Sequence, residues 1–283
     1  MLKKSRTGVV KLKCPLKFLN PLFAAPMYLP ARNIISLTLS LRDDKQLLCV
    51  SSSDNVKYKI EMKEISLKLK HVTFHDKIKE RWEAAIDAHG LRRNVQCDKM
   101  SHFVMKKGVQ SFRFPSIFSW STIPSLLLVF FQKESTIIGD ASSNRYCFKD
   151  PGLRSVSLFK NGISHPNNLE TTNMKMEKNS DDHMYWYSKL MRFFGETAYD
   201  IAPDQYIDNL FILSWNMTVA PLVEDETLIA TDARKLNLSP IDAGSLDFQL
   251  ETHEALTTNY MIYFLGFYSQ ELIFTKNGLP WEA

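Results

Sequence analysis

Residues 58–71 alternate apolar and charged side chains almost without error. The apolar positions are even-numbered before residue 63 and odd-numbered after residue 64. Successive side chains of a β-strand point to opposite faces, so a period of two is typical of a strand with one dry face. The shift in phase predicts a β-bulge, or a strand that changes sheets, near Glu64. These features favour a sandwich or barrel strand over the buried parallel strand of a nucleotide-binding fold.

The composition is that of a folded protein with no strong charge. Its 283 residues, 45% of them hydrophobic, can form one large β domain or two small ones with a true core. The net charge of +4 is too small to indicate a nucleic-acid-binding protein. Residues 1–20, however, hold six Lys and Arg residues and no acid. Such a basic segment is more often a solvated tail, and contact with nucleic acid or an acidic surface is the alternative.

Cysteine usage and the N-terminus predict an intracellular protein. Four cysteines lie far apart in the sequence and form no CxxC pair, which indicates reduced thiols in the cytoplasm or nucleus. The basic start has no unbroken apolar run behind it, so it is a poor signal peptide and we expect no secretion. The most apolar stretch, residues 260–267, is too short to cross a bilayer, so we expect no membrane insertion.

Strand patterns recur from residue 33 to residue 274, and two helical patterns interrupt them. The expected strands lie in residues 35–41, 47–50, 58–74, 103–105, 112–114, 125–131, 155–162, 210–217, 245–250 and 259–274. The dipeptide Asn161-Gly162 predicts a tight hairpin turn. The residues that we expect to be buried between facing sheets are Leu126, Leu128, Phe130, Phe248, Leu250, Ile262 and Phe264. With no regular alternation of strand and helix, the fold class predicted is all-β, an antiparallel jelly-roll sandwich with two short inserted helices. The predicted boundaries are a tail or linker at 1–30, the jelly-roll domain at 31–276 and a C-terminal tail at 277–283.

The two helices are predicted from apolar residues at helical spacing. The first covers residues 76–89, with Asp76 as its cap and an apolar stripe of Ile78, Trp82, Ala85 and Ile86. The second covers residues 182–194, is capped by Asp182, and carries a stripe of Met184, Tyr187, Leu190, Met191 and Phe194. Trp186 lies off this second stripe, so it is the aromatic residue there that we expect to contact a partner.

Sequence motifs for catalysis or cofactor binding are missing. The chain has no GxGxxG, phosphate loop, GxSxG, HxH or HxD pattern. The run Asp181-Asp182-His183 could bind a cation, but it also suits the charged first turn of a helix. The run Tyr185-Trp186-Tyr187 could stack on a base or sugar, but its spacing suits a core or an interface. We therefore expect no catalytic residues, no cofactor and no metal.

The order of these segments resembles the capsid-like proteins of Maverick/Polinton elements, which are virus-like transposons. The resemblance covers about residues 29–274 and rests on ordered weak landmarks: residues 58–72, 77–89, 91–95, 110–115, 126–131, 139–148, 156–162, 187–195, 209–218, 244–250, and Ile262-Tyr263 with Glu271. Two departures stand out. The family's asparagine-proline-phenylalanine element is Asn144-Arg-Tyr-Cys-Phe148 here, and the acidic residue usual in the last strand is Gly266.

The resemblance implies a structural role and not an enzyme. Its members are double jelly-roll major capsid proteins whose subunits form trimers and tile an icosahedral shell. This chain matches the second roll, which implies a homo-oligomer, a sister jelly roll, location in a virion or virus-like particle, and a truncated copy of a longer gene.

A roll separated from its sister should keep apolar contact surfaces. The interface residues expected are Phe23, Met27, Tyr28, Phe118, Trp120 and Trp186. Two other classes of function stay open at this point. One is a host β-sandwich binding module with a groove near Trp186 or Trp120, and the other is an enzyme whose site is assembled without local motifs.

Overall fold

The computed structural model describes residues 38, 66, 72–89, 91–118, 122–138, 144, 146–164, 173–194, 201–217 and 243–274. The alternating segment 58–71 and the strands expected at 35–41 and 47–50 lie outside the described residues, apart from the single positions 38 and 66. The domain boundaries expected near residues 30 and 276 lie outside them as well, so these boundaries stay predictions.

The chain divides into two compact units. Among the described residues, 72–97 and 270–274 belong to the first unit and 98–269 to the second. The first unit contains helix α1, Asp76–His89, at the predicted position. Ile86 is buried and Trp82 contacts Phe74 at 5.7 Å, whereas the predicted stripe member Ile78 is 57% exposed.

Within the described residues, eight strands form two four-stranded sheets. The strands are β1 Leu91–Met105, β2 Ser111–Phe114, β3 Leu126–Lys133, β4 Leu153–Lys160, β5 Ile163–Ser164, β6 Ile212–Asn216, β7 Leu246–Thr252 and β8 Tyr260–Phe274. Their order is β1-β8-β3-β6 in one sheet and β2-β7-β4-β5 in the other. This order, in which the first strand of each sheet pairs with a late strand of the chain, is the double Greek key of a jelly roll. The predicted fold class is confirmed.

Three more helices lie between the strands: α2 Glu134–Ile138, α3 Asp181–Phe194 and α4 Pro203–Asn209. Helix α3 is the second predicted helix. Its cap is Ser180 and not the predicted Asp182, because Ser180 Oγ accepts from the backbone N–H of His183 at 3.2 Å. Helices α2 and α4 were not predicted, since five and seven residues are too few to show a helical period.

The buried face of α3 differs from the predicted stripe. His183, Trp186 and Leu190 are buried, at 0%, 0% and 1% exposure, whereas Met184 is 42% exposed. The buried set has helical spacing but lies about one position N-terminal to the expected one. The large ring of Trp186 determines this rotation, because it packs against Trp215 of β6 at a centroid distance of 5.0 Å.

The Asn161-Gly162 turn joins β4 to β5 as predicted. Both residues have positive φ, 52° for Asn161 and 77° for Gly162, which is the conformation that this dipeptide tolerates. The Asn161 side chain also accepts a hydrogen bond from the backbone N–H of Ser245 at 2.9 Å. A Cβ at position 244 would lie 2.2 Å from Asn161 Oδ1, so a larger residue in place of Gly244 would have to displace the Asn161 side chain. The hairpin is thereby fixed to the start of β7.

The inner faces of the two sheets enclose a core rich in aromatic rings. Phe264 of β8 packs against Phe248 of β7 at 5.2 Å and against Phe114 of β2 at 5.9 Å. Trp215 of β6 contacts Phe248 at 5.7 Å. The predicted core residues of β7 and β8 are confirmed as fully buried: Phe248, Leu250, Ile262 and Phe264.

The orientation predicted for β3 was wrong. Leu127, Val129 and Phe131 face the interior at 0% exposure, whereas the expected Leu126 and Phe130 are only half-buried on the other side. Leu128, on that outer side, is nevertheless 5% exposed. Because β3 is apolar on both faces, alternation in the sequence could not indicate which face points inward.

Gly266 in β8 gives room for the ring of Phe118. A Cβ at position 266 would lie 2.9 Å from Phe118 Cζ and 3.1 Å from both Pro124 Cβ and Tyr268 Cε2. Phe118 in turn contacts the Tyr268 ring at 6.0 Å. The departure from the capsid-like pattern at this position therefore has a local explanation, since a longer side chain would displace a buried phenylalanine.

Truncation of Phe248 should destabilise the roll more than truncation of Phe130. Phe248→Ala removes a fully buried ring and should cost about 3–5 kcal/mol of unfolding free energy. Phe130→Ala removes a half-buried ring and should cost about 1–2 kcal/mol. Urea unfolding measures both free-energy losses. Equal losses would contradict the assignment of Phe248 to the interior and Phe130 to the outer face.

Substitution at Gly266 should act through Phe118. Gly266→Ala should cost about 1–3 kcal/mol, the usual effect of overpacking a filled site. In the double variant Gly266→Ala with Phe118→Leu, the smaller side chain should recover part of that loss. A double-mutant cycle from urea unfolding measures this coupling, and strictly additive effects would show that Phe118 is not the neighbour that matters.

Candidate interaction surface

The outer face of sheet β2-β7-β4-β5 is mostly polar, with the half-buried Phe159 of β4, beside Asp247 of β7, as an apolar member. Arg113 of β2, Gln249 of β7 and Ser157 of β4 lie in one row across three strands. The next row holds Ser111, Glu251 and Ser155. A polar face of this kind is well solvated in water and needs no partner to cover it.

The outer face of sheet β1-β8-β3-β6 is apolar in most of β3 and β8, whereas on β1 the exposed Met100 and Val104 alternate with Asp98 and His102. The β3–β8 register places Leu126 beside Phe267, Leu128 beside Leu265, and Phe130 beside Tyr263. The register with β6 adds Ile212 to the row of Phe130. We call the following set the apolar outer face: Met100, Val104, Leu126, Leu128, Phe130, Ile212, Met261, Tyr263, Leu265 and Phe267.

The most exposed part of the apolar outer face lies on β1. Met100 is 57% exposed and Val104 is 47% exposed. Between them, the ring of His102 lies 6.0 Å from that of Tyr263 on the neighbouring strand. Phe103 points the other way and packs in the core against Phe264 at 5.9 Å, which confirms that the even-numbered residues of this part of β1 face outward.

One end of the apolar outer face is covered by the chain itself. Phe130 stacks on Tyr263 at 5.1 Å and contacts Phe148 at 4.7 Å. Phe148 is held there by a bridge to Leu210. The covered end explains why Phe130 is half-buried, and the β1 side remains the accessible part.

The structure corrects the expectation that Trp186 contacts a partner. Its side chain is 0% exposed and packs between Trp215 at 5.0 Å and Tyr185 at 5.5 Å. Its indole Nε1 is buried and has no hydrogen-bond partner among the described residues. Trp186 is therefore a core residue that joins α3 to β6.

The other expected interface residues do not form a described surface. Phe118 is 9% exposed and fills the space above Gly266, so it too belongs to the core. Phe23, Met27, Tyr28 and Trp120 lie outside the described residues.

Sequence reasoning missed Met100 and Val104. The sequence predicts this strand from Phe103 and Met105, whose side chains point into the core. The even-numbered residues of the same strand also include apolar ones, so neither face of β1 is fully polar. This pattern is the signal in the sequence that could have indicated a partly apolar outer face.

A small cleft lies at the end of the roll where β7 leads into β8. Its volume is about 250 Å³, and it is lined by Pro151, Gly152, His253, Glu254, Ala255, Leu256, Thr257 and Tyr260. Both charged and apolar groups line it, so it could accept a small ligand or a side chain of another protein.

Among the described residues, no three His, Cys, Asp or Glu side chains converge as metal ligands would. No helix within the described ranges is both long and apolar enough to cross a membrane.

Several solved viral structures are similar to this chain at low identity. A chain of the Sputnik virophage is 13% identical with a TM-score of 0.38, a PBCV-1 capsid chain is 10% identical with 0.38, and the mavirus major capsid protein is 8% identical with 0.29. In the same order, the matches cover 67%, 73% and 66% of this chain and 38%, 55% and 40% of the viral chains. This chain therefore spans about half or less of the length of these viral chains. No protein-family model matches the sequence, and no curated protein matches it.

Truncation of Trp186 should affect stability and not association. Trp186→Ala should cost about 3–5 kcal/mol of unfolding free energy, because it leaves a large cavity beneath α3. The oligomeric state of the protein that remains folded should equal that of wild type in analytical ultracentrifugation. A stable variant with altered association would restore Trp186 as an interface residue.

Proposed function

We propose that this chain is a capsid-type structural protein, a jelly-roll module of a subunit encoded by a virus-like transposon of the Maverick/Polinton kind. The observation that carries the proposal is the contrast between the two sheets. One outer face is mostly polar, and the other is mostly apolar, with Met100 and Val104 largely exposed beside Asp98 and His102. Apolar patches of this kind are typical of surfaces that bind other protein.

The packing of the interior supports a structural role. Jelly rolls serve both as shells and as containers for small ligands or metals. Here the space between the sheets is filled by Phe131, Phe211, Phe248 and Phe264 together with Trp215, each at most 3% exposed. An interior filled in this way offers mechanical stability, and the surfaces that remain for function are the outer faces and the strand connections.

The resemblance in sequence supports the more specific statements of the proposal, on the kind of roll, its assembly and its location. The module is the second roll of a double jelly roll, possessing an apolar outer face that a sister roll or a neighbouring subunit covers. The assembled unit is a trimer within a virion or virus-like particle. The basic residues 1–20 are the segment that would meet nucleic acid.

A non-catalytic binding module is the second candidate, and the cleft between Pro151 and Tyr260 is the observation that favours it. A module of this kind would act as a monomer and bind its ligand at the strand connections. The two candidates therefore differ in whether the apolar outer face is needed.

The isolated protein should self-associate through the apolar outer face. Met100→Lys with Val104→Lys places two charges on that face and should weaken association by about tenfold or more, since desolvation of an unpaired lysine is costly. The control variants are Gln249→Lys and Ser157→Lys on the polar face of the other sheet, which should associate as wild type does. Sedimentation velocity over a range of concentrations measures the effect.

A wild-type protein that stays monomeric at high concentration would contradict the capsid-type function and favour the binding module. Self-association that persists in the Met100→Lys and Val104→Lys variant would place the contact elsewhere. The origin in a transposon is tested separately, by looking for neighbouring genes for a protein-primed polymerase, a packaging ATPase or an integrase.

A further inference from the structure

Strand β1 lies at the edge of its sheet. In the order β1-β8-β3-β6, β8 lies on one side of β1, and no other described strand lies on its second side. β1 has 15 residues, whereas the other edge strands, β2, β5 and β6, have four, two and five. Proteins usually keep edge strands short, because their main-chain N–H and C=O groups can pair with another chain. The length of β1 makes it the strand best suited to such pairing.

The exposure of the outward side chains agrees with this edge position. Met100 and Val104 are 57% and 47% exposed, and Asp98, His102 and Lys106 are exposed as well. The outward residues of the neighbouring strand β8 are only half-buried on the same face: Met261, Tyr263, Leu265 and Phe267. The difference follows from the sheet order, because β8 has a strand on each side and β1 has one described neighbour. The outward side chains of β1 are therefore accessible to a further strand.

The outward residues in this part of the chain are symmetric in their chemistry about His102. Met100 and Val104 are apolar and lie two positions before and after it. Asp98 and Lys106 carry opposite charges and lie four positions before and after it. If two copies of this strand pair antiparallel with His102 at the centre, residues equally distant from His102 lie directly opposite each other. Met100 then faces the partner's Val104, and Asp98 faces the partner's Lys106.

Other registers lose this match. A shift of the centre by one residue toward the N-terminus would place Asp98 opposite Val104. A shift by one residue toward the C-terminus would place Met100 opposite Lys106. Each of these registers sets a charge against an apolar side chain, and a shift of two residues in either direction separates Asp98 from Lys106. Since cross-strand pairs stabilise a sheet when apolar groups or opposite charges meet, the register centred on His102 is favoured.

We propose that a second copy of this chain pairs antiparallel with the β1 edge, centred on His102, so that two copies share one continuous sheet. The inference rests on the proposed function, because it names the contact through which a capsid-type module would self-associate. Twofold symmetry makes each side-chain pair occur twice. Main-chain hydrogen bonds provide affinity, and the outward side chains select the register. The shared sheet also joins the apolar outer faces of the two copies.

An exchange of charges tests this register. Asp98→Lys places two pairs of like charges in the symmetric contact and should raise the dissociation constant by about tenfold. The double variant Asp98→Lys with Lys106→Asp restores opposite charges and should return to within about threefold of wild type. The control Glu251→Lys makes the same change in net charge on the outer face of the other sheet and should associate as wild type does. Sedimentation velocity at low salt, where charges are screened least, measures the effect.

Disulfide trapping tests the centre of the register without a reversal of charge. Only the central residue faces its own equivalent, so His102→Cys should link two copies on mild oxidation. Val104→Cys changes an exposed residue of the same face. It should form few links with itself and should link instead to copies that carry Met100→Cys. Mass spectrometry of the linked peptides separates these products from any that involve the four native cysteines.

The outcomes distinguish the edge contact from the proposed function. Recovery of association in the double variant, together with a link through His102→Cys, would support the pairing. If the protein self-associates but the double variant is as weak as Asp98→Lys, or His102→Cys forms no link, the edge contact is overturned and the capsid-type function is not. A wild-type protein that stays monomeric at high concentration would overturn both.

Discussion

Contacts between aromatic rings across the two sheets are the interaction on which the rest of the jelly roll depends. Phe264 of β8 packs edge-on against Phe248 of β7 at 5.2 Å and against Phe114 of β2 at 5.9 Å, so a single side chain bridges the sheets. Trp215 extends the same layer, and Trp186 attaches α3 to it. Because side chains alternate along a strand, these inward rings determine which residues of every strand must face outward.

The outward-facing residues differ in polarity between the two sheets. In β2, β4 and β7 most outward residues are serine, arginine, glutamine, glutamate and aspartate, which water solvates, and Phe159 is the apolar exception. In β3 and β8 they are mostly apolar, and on β1 the same rule that buries Phe264 leaves Met100 and Val104 exposed between Asp98 and His102. A roll that acted alone would gain nothing from such a face, whereas a roll that packs against other protein needs it. The case for a structural role therefore rests on outward-facing residues that do not pack in the core.

Polar contacts at the strand ends hold the sheets in register. Asn161 accepts from Ser245 at the start of β7, and Asp247 accepts from Ser116 at 2.8 Å. These contacts lie near the surface, where water competes for both partners. Asp150 makes the same kind of turn, because its Oδ1 accepts from the backbone N–H groups of Gly152 and Leu153 at the start of β4.

The sequence by itself determined the elements with a local signal. The extent of helix α1, the Asn161-Gly162 turn, and the alternation in β7 and β8 follow from neighbouring residues, and all are present in the structure. Only the tertiary structure decided the inner face of β3, the rotation of α3 about Trp186, and the space that Gly266 leaves for Phe118. For β3 and α3 the sequence allows two faces of similar hydrophobicity. For all three features the outcome depends on which residues from distant parts of the chain fill the space opposite.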